Sequence, residues 1–269
     1  MALSMGPALL FCPADRPERF AGALQKADAV ILDLEDAVLP DAKAQARENI
    51  VAAELDPARV IVRMNAPSTA EFALDVDAVR RTPFRTVMVA KSEDPGAFDV
   101  FTDEFELIAL CETARGVHRA GEIAAHARTV ALMWGAEDLV ASLGGTASRF
   151  PDGRYRDVAR TARSQVLLAA GAYARTAIDA VHLDIADLAG LAAQAADAVA
   201  SGFGATACIH PSQVPVIRDA YRPDETAVRW ARAVLQAADG ERGVFRFEGR
   251  MVDEPVLRHA RAVLGRLDP

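Results

Sequence analysis

Residues 105–117 read FELIALCETARGV, a short apolar run that stops abruptly at a carboxylate. Leu107 to Cys111 are all apolar, which is typical of a strand covered on both faces of a parallel sheet. Glu112 follows this run directly. Because burying an unpaired charge in a core is costly, a carboxylate at this position predicts the open edge of a sheet and a role beyond packing.

Similar runs recur along the chain, separated by stretches that read as helices. The other candidate strands are ALLFCP, AVILDLE, RVIVRMN, TVMVAKS, VALMWGA, AIDAVHLDI and ATACIHP. The helical stretches include PERFAGALQKA, DAKAQARENIVAAEL and YRDVARTARSQVLLAAGAYA. About eight strand–helix units favour an α/β fold of the (β/α)₈ TIM-barrel type over an open doubly wound sheet. No strand is followed by a G-x-G-x-x-G or P-loop pattern, so the nucleotide-binding versions of the open sheet lose their best support.

The end of the chain departs from this alternation. We predict a barrel over residues 1–220 and a C-terminal extension over residues 221–269, which we expect to reach a neighbouring subunit. The extension contains two helical patterns around GVFRFEGRMV, a stretch that favours either a hairpin or an extended lid. The simpler interpretation is a helical cover over the barrel.

Composition excludes several classes of function. The chain has 269 residues and a formal net charge of -8, which argues against nucleic acid as a main partner. Its three cysteines are far apart and lie in apolar runs, so we expect small buried side chains in a reducing compartment. Neither a signal peptide nor a membrane span is predicted. We therefore expect a cytoplasmic protein with no membrane partner.

Charged side chains collect where the candidate strands end. In a TIM barrel these ends form the active-site face. Several carboxylates meeting there repel one another unless a cation lies among them, and oxygen ligands suit Mg²⁺. The candidate residues are Asp33, Glu35, Asp36, Arg63, Asn65, Lys91, Glu112, Glu137, Asp138, Asp184 and His210.

Each of these residues also has a structural interpretation. Asp33 is equally consistent with a buried salt bridge or a cap, Asp184 with a helix cap, and His210 with a loop hydrogen bond. Glu112 and Asp138 are the stronger candidates, because each closely follows an apolar run and no cation at helical spacing neutralises it.

The motifs, taken together, resemble the citrate lyase β-subunit-like (HpcH/HpaI) family of acyl-CoA lyases, in particular its stand-alone members. The matching stretches are LLFCPADRPERF, ADAVILDLEDAV, VRMNAP, VMVAKSE, ETARGV, MWGAEDLVASLGG, AIDAVHLD, CIHPSQV and GRMVDEP. They occur in the family's order and cover nearly the whole chain. The family fold is a TIM barrel, in agreement with the strand count.

The resemblance implies a role for each matching residue. Glu112 and Asp138 match ligands of Mg²⁺, with Mn²⁺ as an alternative, and the metal would hold an oxoacid near Glu112. Arg63 matches the arginine at the reacting centre. Glu35 and Asp36 match the acidic residues that hold metal-bound waters and orient Arg63. Arg16 matches a residue that contacts the acyl-CoA. Asp253 matches a general acid/base that a neighbouring subunit supplies.

The implied activity is cleavage or formation of a 3-hydroxyacyl-CoA, such as citramalyl-, malyl- or citryl-CoA, by a retro-Claisen step. The products are acetyl-CoA or another short acyl-CoA and a small oxoacid. Two other activities stay open: a citrate lyase β subunit that acts on a citryl thioester within a complex, and a malyl-CoA-type thioesterase. A barrel that binds CoA without turnover is disfavoured by the intact Arg63, Glu112, Asp138 and Asp253. The expected assembly is a homotrimer or a hexamer.

Overall fold

The computed structural model describes Leu3, residues 5–241 and residues 243–267. Within these residues the chain divides into two compact units, Met1–Ile217 and Arg218–Pro269. The division falls close to the predicted boundary at residue 220.

The first unit is a closed barrel of parallel strands, as predicted for a TIM barrel. In the part of the chain that the structure describes, each strand pairs with the next one along the chain, and the eighth pairs with the first. Leu9 lies opposite Ala207 where the barrel closes. The strands, β1 to β8 in chain order, are Ala8–Pro13, Ala29–Asp33, Val60–Met64, Thr86–Val89, Glu106–Cys111, Thr129–Trp134, Thr176–Asp179 and Ala205–Cys208.

Helices surround the strands and carry their apolar faces toward them. The α-helices of this part of the chain, α1 to α9, are Phe20–Lys26, Lys43–Val51, Glu71–Arg80, Ala114–His118, Ala120–Ala125, Ala136–Ser142, Asp157–Ala172, Leu188–Ser201 and Gln213–Tyr221. Short 3₁₀ turns are found at Pro17–Arg19, Pro40–Ala42, Pro57–Arg59 and Pro95–Val100. Each of these turns begins at a proline, whose fixed φ and missing N–H suit the first turn of a helix.

Side chains fill the interior of the barrel. The strands are almost continuously buried, which is why their sequences lack polar alternation. The buried interior cluster comprises Leu9, Ala29, Ile31, Ile61, Met88, Ile108, Leu110, Val130, Ala131, Met133, Ile178, Ala205 and Ala207. The three cysteines are buried, as expected, and burial raises the pKa of the Cys111 thiol to about 12.

Several strands are shorter than their apolar runs. The run AIDAVHLDI covers nine residues, yet β7 ends at Asp179. Val181 packs against the interior cluster, and His182 is buried. The apolar pattern thus continues past the strand into the loop, where Leu183 and Ile185 are exposed, and this makes the strand end hard to read from composition.

The second unit has its own small core. Helices α10 (Glu225–Ala237) and α11 (Glu254–Gly265) enclose Ala231, Val234, Val252, Ala260 and Val263. Strands β9 (Phe245–Phe247) and β10 (Arg250–Val252) form an antiparallel hairpin between the helices, one of the two predicted conformations. Its turn residues, Glu248 and Gly249, both have positive φ, as a two-residue turn of type I′ requires. No helix among the described residues is long and apolar enough to cross a bilayer.

Candidate active site

Arg63 and Asp33 form a buried ion pair at the carboxyl ends of β3 and β2. The register of the two strands places these residues opposite each other. Arg63 Nε donates to Asp33 Oδ1 over 2.7 Å, and Nη2 donates to Oδ2 over 2.6 Å. This bidentate pairing fixes both the position and the plane of the guanidinium. The structural interpretation of Asp33 as a buried salt-bridge partner is confirmed.

Asp33 also shapes the loop that carries Glu35. Its carboxylate accepts hydrogen bonds from the backbone N–H of Glu35 over 2.9 Å and of Ala37 over 3.2 Å. Glu35 Oε2 then lies 2.9 Å from Arg63 Nη1. Burial disfavours the charged guanidinium, but the Asp33 and Glu35 carboxylates outweigh it and keep the pKa of Arg63 above its ordinary value. The ring of Phe11 lies 4.9 Å from the guanidinium carbon.

Lys91 directs its ammonium into a group of carboxylates. Lys91 Nζ contacts Glu35 Oε1, lies 3.2 Å from Asp36 Oδ2 and lies 3.3 Å from Asp138 Oδ1. The backbone at Lys91 has a φ of 47°, in the left-handed region that costs roughly 1–3 kcal/mol for a residue with a side chain. The sequence left two roles open for Lys91, a CoA-phosphate contact or a loop ion pair, and the structure contains the ion pair.

Glu112 lies at the end of β5 and is only 3% exposed. Its Oε1 accepts a hydrogen bond from the backbone N–H of Lys91 over 3.0 Å. Burial, followed by the negative charge of Asp138, raises the pKa of Glu112 to about 8. A Cβ at Gly135 would lie 2.8 Å from Glu112 Oε2, so the glycine after β6 leaves space that this carboxylate needs.

Asp138 lies in the first turn of α6, directly after β6 and Gly135. Its carboxylate is 36% exposed and reaches Lys91. The neighbouring Glu137 is engaged elsewhere, because it accepts a hydrogen bond from Ser148 Oγ over 2.5 Å. Of this acidic pair, Asp138 therefore belongs to the carboxylate group.

Glu35 and Asp36 have opposite electrostatic environments. Burial raises the pKa of Glu35 above its ordinary value, although Arg63 and Lys91 oppose this effect. Burial also tends to raise the pKa of Asp36, but the Lys91 ammonium outweighs this effect and lowers the pKa of that carboxyl. Asp36 is 60% exposed and marks the outer side of the group.

The donors suit a divalent cation. Asp33, Glu35, Asp36, Glu112 and Asp138 provide negative charge against two cationic side chains, Arg63 and Lys91. Among the described residues, no three His, Cys, Asp or Glu side chains already converge as a ready set of metal ligands. Mg²⁺, however, typically takes only one or two protein carboxylates and keeps several waters. Glu112 and Asp138 meet that requirement.

A buried polar network supports the loop beneath this group. Lys43 Nζ donates to the carbonyl oxygens of Leu34 and Glu35 over 2.7 and 2.8 Å and to Asn65 Oδ1 over 2.8 Å. Asn65 Nδ2 donates to Asp75 Oδ2 over 2.7 Å. The sequence analysis marked Asn65 but missed Lys43 and Asp75. The available signal for Asp75 was a carboxylate inside the apolar pattern of its helix, EFALDVDAVR.

Another missed carboxylate, Asp179, ends β7 and is fully paired. It accepts hydrogen bonds from Trp134 Nε1 over 2.7 Å and from Arg163 Nε over 2.9 Å. The other marked residues near β7 and β8 have local roles. Asp184 Oδ1 accepts from the backbone N–H of Ala186, and His210 Nδ1 lies 2.8 Å from Ser212 Oγ.

Two predicted residues have contacts outside the carboxylate group. Arg16 lies in the loop after β1, where its side chain is 51% exposed and its Nε is 3.9 Å from Asp15 Oδ1. Asp253 belongs to the second unit and caps α11, accepting a hydrogen bond from the backbone N–H of Val256 over 3.4 Å. The structure thus brings together seven predicted residues: Asp33, Glu35, Asp36, Arg63, Lys91, Glu112 and Asp138.

Comparison with known proteins adds an independent result. The family model described as HpcH/HpaI aldolase/citrate lyase matches residues 8–211. A citrate lyase subunit beta-like protein of Mycobacterium tuberculosis is 56% identical over 261 residues, covering 97% of this chain and 95% of that protein. Human mitochondrial citramalyl-CoA lyase is 30% identical over 265 residues, covering 87% and 76%.

The likeness extends to a solved structure. The crystal structure of CitE from Mycobacterium tuberculosis in complex with magnesium, acetoacetate and coenzyme A has a TM-score of 0.93 and 55% identity. The match covers 99% of both chains. The family match, the identity and the shared fold agree with one another. The chain therefore belongs to the HpcH/HpaI aldolase/citrate lyase family.

Proposed function

We propose that this protein is a Mg²⁺-dependent lyase that cleaves the C2–C3 bond of a 3-hydroxyacyl-CoA. The candidate substrates are citramalyl-, malyl- and citryl-CoA, and the products are acetyl-CoA or another short acyl-CoA and an oxoacid. The observation that carries the proposal is a buried, doubly paired arginine beside two carboxylates at the barrel mouth. The magnesium, acetoacetate and coenzyme A bound by the similar CitE protein support it.

Glu112 and Asp138 would hold the metal, and oxygen donors of this kind also suit Mn²⁺. When bound, the cation acts as a Lewis acid that lowers the cost of negative charge on the oxoacid oxygen. The cation would also favour the ionised form of Glu112, because it places a positive charge beside that carboxylate.

Arg63 would stabilise negative charge on the thioester oxygen of the enolate. Asp33 accepts hydrogen bonds from Nε and Nη2, and Glu35 is an ion-pair partner of Nη1, so that the terminal nitrogens retain N–H groups for a ligand. A donor already fixed in position avoids reorganisation during the reaction. Removal of one such donor typically costs about 3 kcal/mol of transition-state stabilisation.

Glu35 and Asp36 would act around this centre. Glu35 pairs directly with Arg63 and would orient it, and Glu35 and Asp36 would accept hydrogen bonds from waters held by the metal. Arg16, half exposed in the loop after β1, is free to contact the phosphates or the acyl chain of a CoA thioester. Its guanidinium suits phosphate groups because it forms paired hydrogen bonds.

Asp253 would accept the proton of the 3-hydroxyl group as the C2–C3 bond breaks, and would return a proton to the enolate carbon. General acid catalysis of this kind typically contributes about 10²–10⁴-fold. We propose that Asp253 acts in the site of a neighbouring subunit of a homotrimer or a hexamer. The Asp253→Asn variant is suitable for testing this role, since asparagine is as good a helix cap as aspartate and α11 keeps its first turn.

Mixing two inactive variants tests the shared site. Asp253→Asn and Glu112→Gln subunits, unfolded and refolded together, should regain part of the wild-type rate, because some sites then receive both intact residues. Each variant refolded alone serves as the control. A mixture that stays inactive while forming mixed oligomers contradicts action across subunits.

The activity itself is tested with purified protein, Mg²⁺ and a panel of malyl-, citramalyl-, citryl- and 3-hydroxy-3-methylglutaryl-CoA, with mass detection of every product. Acetyl-CoA together with an oxoacid, lost on addition of EDTA, is the expected result. Free CoA together with an intact hydroxyacid would identify a thioesterase instead. Absence of turnover on all four would favour a subunit that acts on a citryl thioester within a complex.

A further inference from the structure

We propose that Lys91 is an internal counter-ion that competes with the divalent cation for Glu35 and Asp138 and so sets the metal affinity of the site. This inference rests on the proposed function, because it assumes that Glu112 and Asp138 hold a metal. It assigns to Lys91 a positioning role that acts through the carboxylates rather than through the substrate.

The contacts of Lys91 are those of a cation shared between carboxylates. Its ammonium touches Glu35 and lies 3.2 Å from Asp36 Oδ2, both in the loop after β2, and 3.3 Å from Asp138 Oδ1 in the first turn of α6. An ammonium is a compact point charge that several oxygens can surround, as they surround a metal ion. Lys91 therefore bridges the β2 loop and the start of α6 in the way that a bound cation would.

The backbone of Lys91 holds the ammonium in this place. The left-handed φ of 47° directs the chain so that the N–H of Lys91 donates to Glu112 while the side chain reaches Asp138. The same residue thus touches both predicted metal ligands, one through its backbone and the other through its side chain. A backbone conformation of this kind is retained where surrounding contacts determine it.

The neighbouring cations are bound differently. Arg63 is held by Asp33 and Glu35 rather than by Asp138. Lys43 donates to two carbonyl oxygens and to Asn65 rather than to the carboxylates. Lys91 is consequently the cation whose removal frees a metal ligand, and Lys43 is a matched lysine whose removal does not.

Two consequences follow for a variant without the ammonium. Mg²⁺ no longer has to displace Lys91 from Asp138, and it no longer meets the repulsion of a nearby positive charge. Since both effects favour the metal, we expect Lys91→Met to bind Mg²⁺ about tenfold more tightly than the wild type. Without metal, the same variant leaves the carboxylates less neutralised, so its melting temperature in EDTA should fall below that of the wild type.

Calorimetric titration of Mg²⁺ into the EDTA-treated, dialysed full-length protein measures this directly. The set comprises wild type, Lys91→Met, Lys91→Gln, Lys91→Arg and Lys43→Met. We expect tighter binding in Lys91→Met and Lys91→Gln only, because Lys91→Arg keeps the charge and Lys43→Met leaves the carboxylates occupied. Lys91→Gln retains a hydrogen-bond donor toward Glu35 and serves if the methionine variant does not fold.

The possible results separate this inference from the proposed function. Unchanged or weaker Mg²⁺ binding in a folded Lys91→Met or Lys91→Gln overturns the competition. An equal gain in Mg²⁺ affinity in Lys91→Arg or Lys43→Met overturns the competition as well, because the gain would then not depend on the positive charge between Glu35 and Asp138. A wild type that binds no Mg²⁺ overturns the proposed metal site itself.

Discussion

At the scale of single residues, Asp33 links Arg63 to the backbone of the loop beside it. Its carboxylate pairs with Arg63 and accepts the N–H groups of Glu35 and Ala37. Asp33 is 1% exposed, so bulk water does not take the place of its carboxylate when the residue is altered. Its contribution is therefore to position Arg63 and Glu35 together.

Asp33→Asn should lower both stability and activity. Removing one charge of a buried pair leaves the other uncompensated, and we expect the free energy of unfolding to fall by about 3 kcal/mol. Misplacing Arg63 should reduce kcat/KM by about 10²-fold. Urea unfolding and lyase assays measure the two effects. Asp77→Asn, at a carboxylate that is 74% exposed, is the control and should change neither; a similar, small effect of both variants would contradict the role of Asp33.

Glu112 makes the stability of the metal-free protein depend on pH. Its pKa is raised from 4.5 to about 8 in the folded chain, so its stabilising effect is complete below about pH 4.5. As the pH rises toward 8, the unfolded chain loses this proton while the folded chain keeps it. The free energy of unfolding should therefore fall across this window, by at most about 1.4 kcal/mol per pH unit from this group.

Urea unfolding in EDTA at several pH values between 5 and 8 tests this dependence. Glu112→Gln cannot titrate and should show a flatter curve than the wild type. The difference between the two curves isolates the contribution of Glu112 from that of other groups. Parallel curves would show that the folded and unfolded chains ionise this carboxyl alike.

At the scale of elements, the parallel barrel brings the ends of consecutive strands to one edge. Glu112 follows β5, and Gly135 follows β6, the neighbouring strand in the sheet. A side chain at Gly135 would meet Glu112 Oε2 at 2.8 Å and Glu112 Cβ at 2.9 Å. The connection from β6 to α6 thus shapes the space around Glu112 in addition to carrying Asp138.

Gly135→Ala should displace Glu112 while the barrel stays folded. Because misplacement of a site group by about 1 Å can cost 10²-fold, we expect a fall in kcat/KM of that order together with weaker Mg²⁺ binding. Gly121→Ala in α5 is the matched control, because its added Cβ meets nothing within 4 Å. That control should keep full activity; a wild-type Mg²⁺ affinity in Gly135→Ala would exclude the proposed steric role.

At the scale of the whole molecule, the interior of the barrel supports the site at its mouth. Ile108 of β5 is fully buried in the interior cluster, four residues before Glu112. Packing at this density responds to the loss of even a few methylene groups. The position of Glu112 therefore depends on a core that contributes no chemistry of its own.

Ile108→Ala should lower the free energy of unfolding by about 2–5 kcal/mol, from lost burial and from the cavity that remains. Calorimetric or urea unfolding in the presence of Mg²⁺ provides the measurement. Ile185→Ala, at a side chain that is 43% exposed, is the comparison and should change stability by less than about 0.5 kcal/mol. Equal losses in the two variants would contradict the packing argument.

The sequence by itself determined the class of fold and the candidates for the site. Continuous apolar runs such as Leu107 to Cys111 identify covered parallel strands, because burial on both faces removes polar alternation. A carboxylate directly after such a run identifies the active edge, because parallel strands all end there. These signals are local, so they could be read without knowing any contact.

Only the tertiary structure decided which of these side chains meet. The pairing of Asp33 with Arg63 depends on the register between β2 and β3, and the position of Lys91 depends on three loops closing around one point. Glu35, Lys91 and Asp138 are far apart in the chain, and although each follows a candidate strand, no pattern in the sequence says that they pair with one another. Closure of the barrel brings them within hydrogen-bonding distance, and that long-range geometry is what local sequence patterns do not contain.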